Sequence, residues 1–193
     1  MQESFVMNLP NKITVFRVCL IPVFVFFMLT DVVAGSKWWA LGFFVLASVS
    51  DFFDGYLARK HHLITDFGKF MDPLADKLLI CSAMIALTSI APDRMPSWIV
   101  IIIIAREFTI SGFRLIASDN GKVIAASMWG KVKTVVQMVM VGMLICNFGE
   151  TFPSAANTID IIEKCLVYLA LALTVISLIE YVYKNREIVS NFK

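Results

Sequence analysis

Charge is scarce in this chain of 193 residues, where Asp, Glu, Lys and Arg together make up 17%. What charge there is nearly cancels, at a formal +2. No basic block stands out, which excludes the electrostatic footprint of a nucleic-acid-binding protein. Cysteine is sparse and scattered. Cys19, Cys81, Cys146 and Cys165 fall in separate apolar stretches without a C-x-x-C pair. Neither a disulfide framework nor a zinc site is expected, and the four read as small buried hydrophobes. The two histidines, His61 and His62, stand side by side in a polar connection and read as a solvated loop. There is no low-complexity tract and no internal repeat. Only Lys12 precedes the first apolar run and no A-x-A-like exit follows it, so that run is expected to stay as a membrane helix.

What fills the chain instead is apolar. Hydrophobic residues make up 59%, with sixteen Phe, ten Met and a mean hydropathy of +0.78. Globular chains hold roughly 45–50% apolar residues, and a soluble domain of this length could not hide the excess. Disorder is excluded by the same composition. The chain reads as an all-α integral membrane protein of one domain, residues 1–193. A spanning helix needs about 20 mostly apolar residues, and six stretches qualify: 12–30, 38–60, 69–91, 96–117, 123–148 and 160–183. Trp38, Trp39, Trp98, Tyr181 and Tyr183 fall near span ends, where aromatic belts form. Six spans place both termini on one side. Of the 17 Lys and Arg, only Lys37, Arg94 and Lys164 fall toward the other side, leaving fourteen with the termini. Positive charge marks the cytoplasmic face, so both termini are expected there, in the cell membrane.

Spans two and three carry charges that lipid should reject. Asp51, Asp54 and Arg59 lie at the cytoplasmic end of one; Lys69, Asp72, Asp76 and Lys77 open the next. A carboxylate in a membrane helix costs several kcal/mol unless it meets a cavity, a partner or an ion. Asp51 and Asp54 share a helix face at i, i+3, and Asp72 and Asp76 share one at i, i+4. A connection of about eight residues makes the helices antiparallel neighbours and brings both pairs to one depth. Four carboxylates around a small space suit two divalent ions, with all-oxygen ligation favouring Mg²⁺ or Mn²⁺ over Zn²⁺. The plainer alternative is a set of buried ion pairs with Arg59, Lys69 and Lys77. Gly55 and Ala58, one turn apart beside Asp54, allow close helix packing or leave room for a ligand's sugar and phosphates.

The pattern Asp51-x-x-Asp54-Gly55-x-x-Ala58-Arg59, eight residues, then Gly68-x-x-x-Asp72-x-x-x-Asp76 resembles the signature of the CDP-alcohol phosphotransferases. The resemblance implies a six-helix membrane enzyme that moves a phosphatidyl-type group from a CDP-linked donor to an alcohol, with CMP leaving. It implies that Asp51, Asp54, Asp72 and Asp76 ligate two metal ions and that Asp76 is also the general base. It places Gly55, Ala58, Arg59, Thr65 and Gly68 about the CDP moiety, joined by Thr14 and Arg17 of the first helix. It also implies a homodimer.

A second charged cluster bears on the acceptor. Arg106-Glu107-Phe108-x-x-Ser111-Gly112-x-Arg114 closes span four, and Gly130-Lys131-x-Lys133-Thr134 lies in span five. Arg106, Arg114, Lys131 and Lys133 are costly in lipid but suited to an acceptor that itself carries phosphate. The alternative is ordinary anchoring by snorkelling side chains. Glu107 is expected to pair with a neighbouring cation. These motifs, with Asn8-Leu9-Pro10-Asn11-Lys12-Ile13-Thr14-x-x-Arg17, resemble the members of the family that use sn-glycerol 3-phosphate. That implies CDP-diacylglycerol as donor and phosphatidylglycerol phosphate as product. Rival readings are another acceptor in the same family (inositol phosphate or phosphatidylglycerol) and a small divalent-cation transporter with the Asp cluster as its transport site.

Overall fold

A computed structural model describes residues 9–61, 66–119 and 127–185; the side chains of residues 9–11, 51–70, 72, 73, 76, 116, 118 and 119 fall outside that description. Every described element is helical. In chain order they are α1 (Leu9–Leu29), α2 (Ser36–His61), α3 (Asp66–Ile90), α4 (Ser97–Asp119), α5 (Met128–Cys146), α6 (Phe148–Thr151), a 3-10 turn (Pro153–Ala155) and α7 (Ala156–Lys184). The gaps left between the expected spans at 31–37, 92–95 and 149–159 each contain a break between long helices. The last is not plain loop, since it holds α6 and the 3-10 turn. The contacts divide the chain into two compact units, residues 1–86 and 87–193.

In the first unit α1 and α2 form an antiparallel hairpin. Thr14, Arg17, Leu20, Ile21, Phe24 and Met28 recur at helical spacing, and all are buried. They face the stripe Ala40, Phe44 and Ala47 of α2, where two alanines let the backbones approach. Phe24 lies beside Phe44 at 5.8 Å, and Phe27 stacks on Phe43 at 5.5 Å. The chain reverses through Gly35, whose φ of +78° lies in the left-handed region that glycine enters without steric cost. Ser36 closes the turn: its hydroxyl donates to the Val33 carbonyl at 2.8 Å.

In the second unit α7 packs against α4 and, more extensively, against α5. Its inner stripe is Glu163, Val167, Ala170, Thr174, Ser177 and Tyr181, all buried. The inner stripe of α5 runs through Lys133, Gln137, Met140, Val141 and Leu144. Ser127 caps α5, its side chain accepting from the Gly130 amide at 3.1 Å. The same helix ends at Asn147, a left-handed residue with φ 45°.

These helices are inside-out by the standard of a water-soluble protein. Arg17, Lys133, Gln137 and Glu163 are buried, while Phe16, Phe26, Trp39, Ile101, Val135, Leu169 and Ile179 are exposed. Apolar faces turned outward are stable only in an apolar solvent, so the molecule is a membrane protein. Among the described residues, Lys12–Leu29, Met128–Cys146 and Pro153–Lys184 are long and apolar enough to cross a bilayer. The other three long helices carry the charged motifs within their length. Two expectations need correction here. Cys81 and Cys146 are buried, but Cys19 and Cys165 are exposed, because they fall on the outward faces of α1 and α7. Tyr181 is not a belt residue. It is 6% exposed, because the period running from Glu163 carries it inward, whereas Trp38, Trp39, Trp98 and Tyr183 are indeed exposed.

Candidate active site

The first candidate site lies along the α1–α2 hairpin and the start of α3. By register, residues 51, 54, 55 and 58 continue the stripe of α2 that begins at Ala40, Phe44 and Ala47. The ring pairs set the relative height of the two helices. Counting seven residues back from Phe24 and seven forward from Phe44 puts Arg17 level with residue 51; ten in each direction put Thr14 level with residue 54. Thr14 and Arg17 are both fully buried. Arg17 thus brings a buried guanidinium to this height. On α3, residues 72 and 76 continue the buried stripe of Ala75, Leu79, Ala83 and Ala86. Asp51, Asp54, Gly55, Ala58 and Arg59 are thus placed on α2, and Gly68, Asp72 and Asp76 on α3, by backbone alone. Thr65 and His62 lie outside the described residues. Among the described side chains no group of His, Cys, Asp or Glu could hold a metal ion. The four aspartates are not among those side chains; an all-carboxylate donor set of this kind suits Mg²⁺ or Mn²⁺.

The second candidate site is in the other unit. Ile99, Ile103, Ile110 and Ala117 form the buried stripe of α4, and Arg106, Glu107 and Arg114 fall within it by spacing. Glu107 forms an ion pair with Lys133 of α5 and lies 3.6 Å from Arg106. The Nη2 of Arg106 donates to the Ser177 hydroxyl of α7 at 2.9 Å. Ser177 in turn donates to the Thr174 carbonyl at 3.0 Å. Lys133 is 1% exposed, Arg106 and Arg114 are partly buried, and Lys131 is exposed. The sequence had Glu107 pairing with a neighbouring cation, and the structure gives it two, tying Arg106 and Lys133 together. It adds Ser177 and Tyr181, which the motifs had not pointed to. Ser177 sits in no charged run and Tyr181 follows Glu180 at what read as a span end, so only the helical period of α7 could have found them.

Paired aspartates at i, i+3 on α2 and at i, i+4 on α3 of a helical membrane protein, with a cluster of cations on α4 and α5, are parts that transfer from a lipid-linked diphosphate could use. Residues 7–176 match the CDP-alcohol phosphatidyltransferase family, and the chain belongs to that family. Its relatives carry a more particular name. The CDP-diacylglycerol–glycerol-3-phosphate 3-phosphatidyltransferase of Bacillus subtilis (strain 168) is 41% identical over 195 residues, covering 93% of this chain and 96% of the relative. The protein of that name from Haemophilus influenzae is 38% identical, over 90% of this chain and 91% of its own length. A probable phosphatidylglycerophosphate synthase of Mycobacterium tuberculosis is 36% identical, over 91% of this chain and 80% of the relative.

Proposed function

We propose that this protein makes phosphatidylglycerol phosphate, transferring the phosphatidyl group of CDP-diacylglycerol to sn-glycerol 3-phosphate and releasing CMP. The observation that supports this reading is the Asp51–Asp76 signature on α2 and α3, whose first position falls level by helical register with the buried Thr14 and Arg17. The names of the relatives support the same reaction. In this reading all six long helices span the cell membrane. Both termini and the reacting groups face the cytoplasm, and the enzyme is a homodimer.

The residues divide the work. Thr14, Arg17, Gly55, Ala58, Arg59, Thr65 and Gly68 hold the CDP portion of the donor. Asp51, Asp54, Asp72 and Asp76 would hold two Mg²⁺ or Mn²⁺ ions, which neutralise the diphosphate and stabilise the departing CMP phosphate. Asp76 takes the proton from the acceptor hydroxyl as its oxygen bonds to the phosphatidyl phosphorus and the bond from that phosphorus to CMP breaks. Arg106, Arg114, Lys131 and Lys133 hold the acceptor's own phosphate. Within that group Glu107 fixes Lys133 and Ser177 fixes Arg106, so the cations are oriented before the acceptor arrives.

The test is CMP release by purified, detergent-solubilised protein given CDP-diacylglycerol, Mg²⁺ and glycerol 3-phosphate. Inositol phosphate, serine and phosphatidylglycerol are supplied in parallel. Release with glycerol 3-phosphate alone, falling at least about 100-fold in Asp76→Asn, is the expected result. Release with a different acceptor would keep the aspartate assignment and discard the reading of the cation cluster. No release with any acceptor, from folded protein, would return the aspartates to a transport role.

A further inference from the structure

The side chain of Tyr181 is buried to 6% exposure, and its hydroxyl has no hydrogen-bond partner among the described residues. A buried hydroxyl left without a partner is uncommon and costly, and calls for an explanation. Its neighbours on the same stripe of α7 are satisfied: Thr174 donates to the Ala170 carbonyl, and Ser177 donates to the Thr174 carbonyl while accepting from Arg106. Tyr181 is also not alone. The Nε atoms of Arg106 and Arg114 are buried and have no hydrogen-bond partner among the described residues either. The charges of both guanidinium groups act on the Tyr181 phenol, and that of Arg114 acts on Arg106, so the three groups share one neighbourhood.

The chemistry of the three groups names what is missing. Arg106 and Arg114 can only donate, and a tyrosine hydroxyl surrounded by cations is best used as a donor. The carboxylate of Glu107 is already engaged by Lys133 and Arg106. Arg106, Arg114 and Lys133 against Glu107 leave a formal charge of +2, the complement of a phosphate monoester. The ring of Tyr181 lies 6.5 Å from that of Phe113, which is packing enough to hold the phenol in place before a ligand binds.

We infer that the Tyr181 hydroxyl donates a hydrogen bond to the phosphate of the acceptor, making with Arg106 and Arg114 a three-donor anion site between α4 and α7. This rests on the reading of Arg106 and Arg114 as acceptor-binding residues, and adds a neutral donor from a helix outside every motif. The neutral donor has a specific use. It adds a directed bond to the phosphate without adding a further charge that must be buried when the site is empty.

The test is steady-state kinetics of Tyr181→Phe and Arg106→Gln in purified enzyme with Mg²⁺, varying glycerol 3-phosphate and CDP-diacylglycerol separately. Phenylalanine keeps the ring against Phe113 and removes only the unpaired hydroxyl, so the melting temperature should hold. The expected result is a KM for glycerol 3-phosphate raised roughly tenfold or more in Tyr181→Phe, with the KM for CDP-diacylglycerol within about twofold of wild type. A raised glycerol 3-phosphate KM in Arg106→Gln but not in Tyr181→Phe would overturn the role of Tyr181 and leave the cation site standing. An unchanged KM in both would overturn the cation site as well. Equal changes for both substrates, or a change in kcat alone, would mark Tyr181 as a packing residue and overturn the inference. Should Tyr181→Phe fail to fold, 3-fluorotyrosine placed at position 181 retains the hydroxyl. Its ¹⁹F resonance must then shift when glycerol 3-phosphate is added, and a static resonance would overturn the assignment.

Discussion

Replacing Arg94 by Met is expected to destabilise the protein much more than replacing its partner Glu163 by Gln. Arg94 lies in the turn before α4, and its Nη1 donates to Glu163 Oε2 at 3.1 Å and to Asn147 Oδ1 at 3.0 Å. The partners are unequally buried, with 21% of the Arg94 side chain exposed against 2% for Glu163. The other oxygen of Glu163 has no hydrogen-bond partner among the described residues. Both residues line a cavity of about 500 Å³, through which water reaches the arginine more readily than the acid. Removing Arg94 strips a buried carboxylate of its cation, at a cost of about 3–5 kcal/mol. Converting Glu163 to a neutral amide forfeits one charge-assisted hydrogen bond, about 1–2 kcal/mol, while the guanidinium turns toward water. At about 2–4 °C of melting temperature per kcal/mol for a chain of this length, the two losses are roughly 6–20 °C and 2–8 °C. Arg94→Met combined with Glu163→Gln should melt above Arg94→Met alone, because the second change removes the stranded charge. The assay is circular dichroism melting of detergent-solubilised protein, read as the order of the three variants. If Glu163→Gln melted at or below Arg94→Met, or if the two losses simply added, the charge argument would be wrong and the pair would matter only for its packing.

Three further outcomes follow from the same structure. Removing divalent ions with EDTA should abolish CMP release and leave the helical circular dichroism intact, with Mg²⁺ restoring activity; release that persists in chelator would remove the metal from the reaction. Gly35→Ala should lower stability by about 1–2 kcal/mol through the left-handed backbone alone, since the nearest atom to the added methyl, Cδ1 of Trp38, would stand at an unstrained 3.6 Å. An unchanged melting temperature would show that the turn relaxes to another shape. Leucine in place of Cys81 or Cys146 should lower the melting temperature by overpacking the interior, whereas Cys19→Leu and Cys165→Leu should leave it unchanged, and equal losses at all four would contradict the outward faces assigned to α1 and α7.

The six long helices were legible because apolar runs and the Gly and Pro breaks between them are local signals. The cut between Asn147 and Ala156 was harder. Its four-residue helix and 3-10 turn depend on a left-handed Asn147, which composition does not announce. The pairing of Glu107 was readable too, since an acid in lipid must find a cation and Arg106 and Lys133 were the near choices. Ser177 was not. A serine in an apolar helix carries no sign of which distant arginine it will meet. Tyr181 was misread because position near a span end suggested the interface, whereas counting by threes and fours from Glu163 assigns it to the interior. Arg17 was named from resemblance, and its height opposite residue 51 follows only once the Phe24–Phe44 pair sets the register.

The ion pair between Glu107 and Lys133 also bears on how the chain enters the bilayer. The acid lies on α4 and its cation on α5, so during synthesis the negative partner is made first. Each charge alone opposes insertion by about 2.5–3.5 kcal/mol on scales derived from the translocon. Arg106, at 3.6 Å, offsets part of this for α4 while that helix waits. The later helix therefore does more than extend the bundle. In the six-span arrangement proposed above, delivering Lys133 gives the acid of α4 its cation, so the two helices are expected to settle into lipid as a couple.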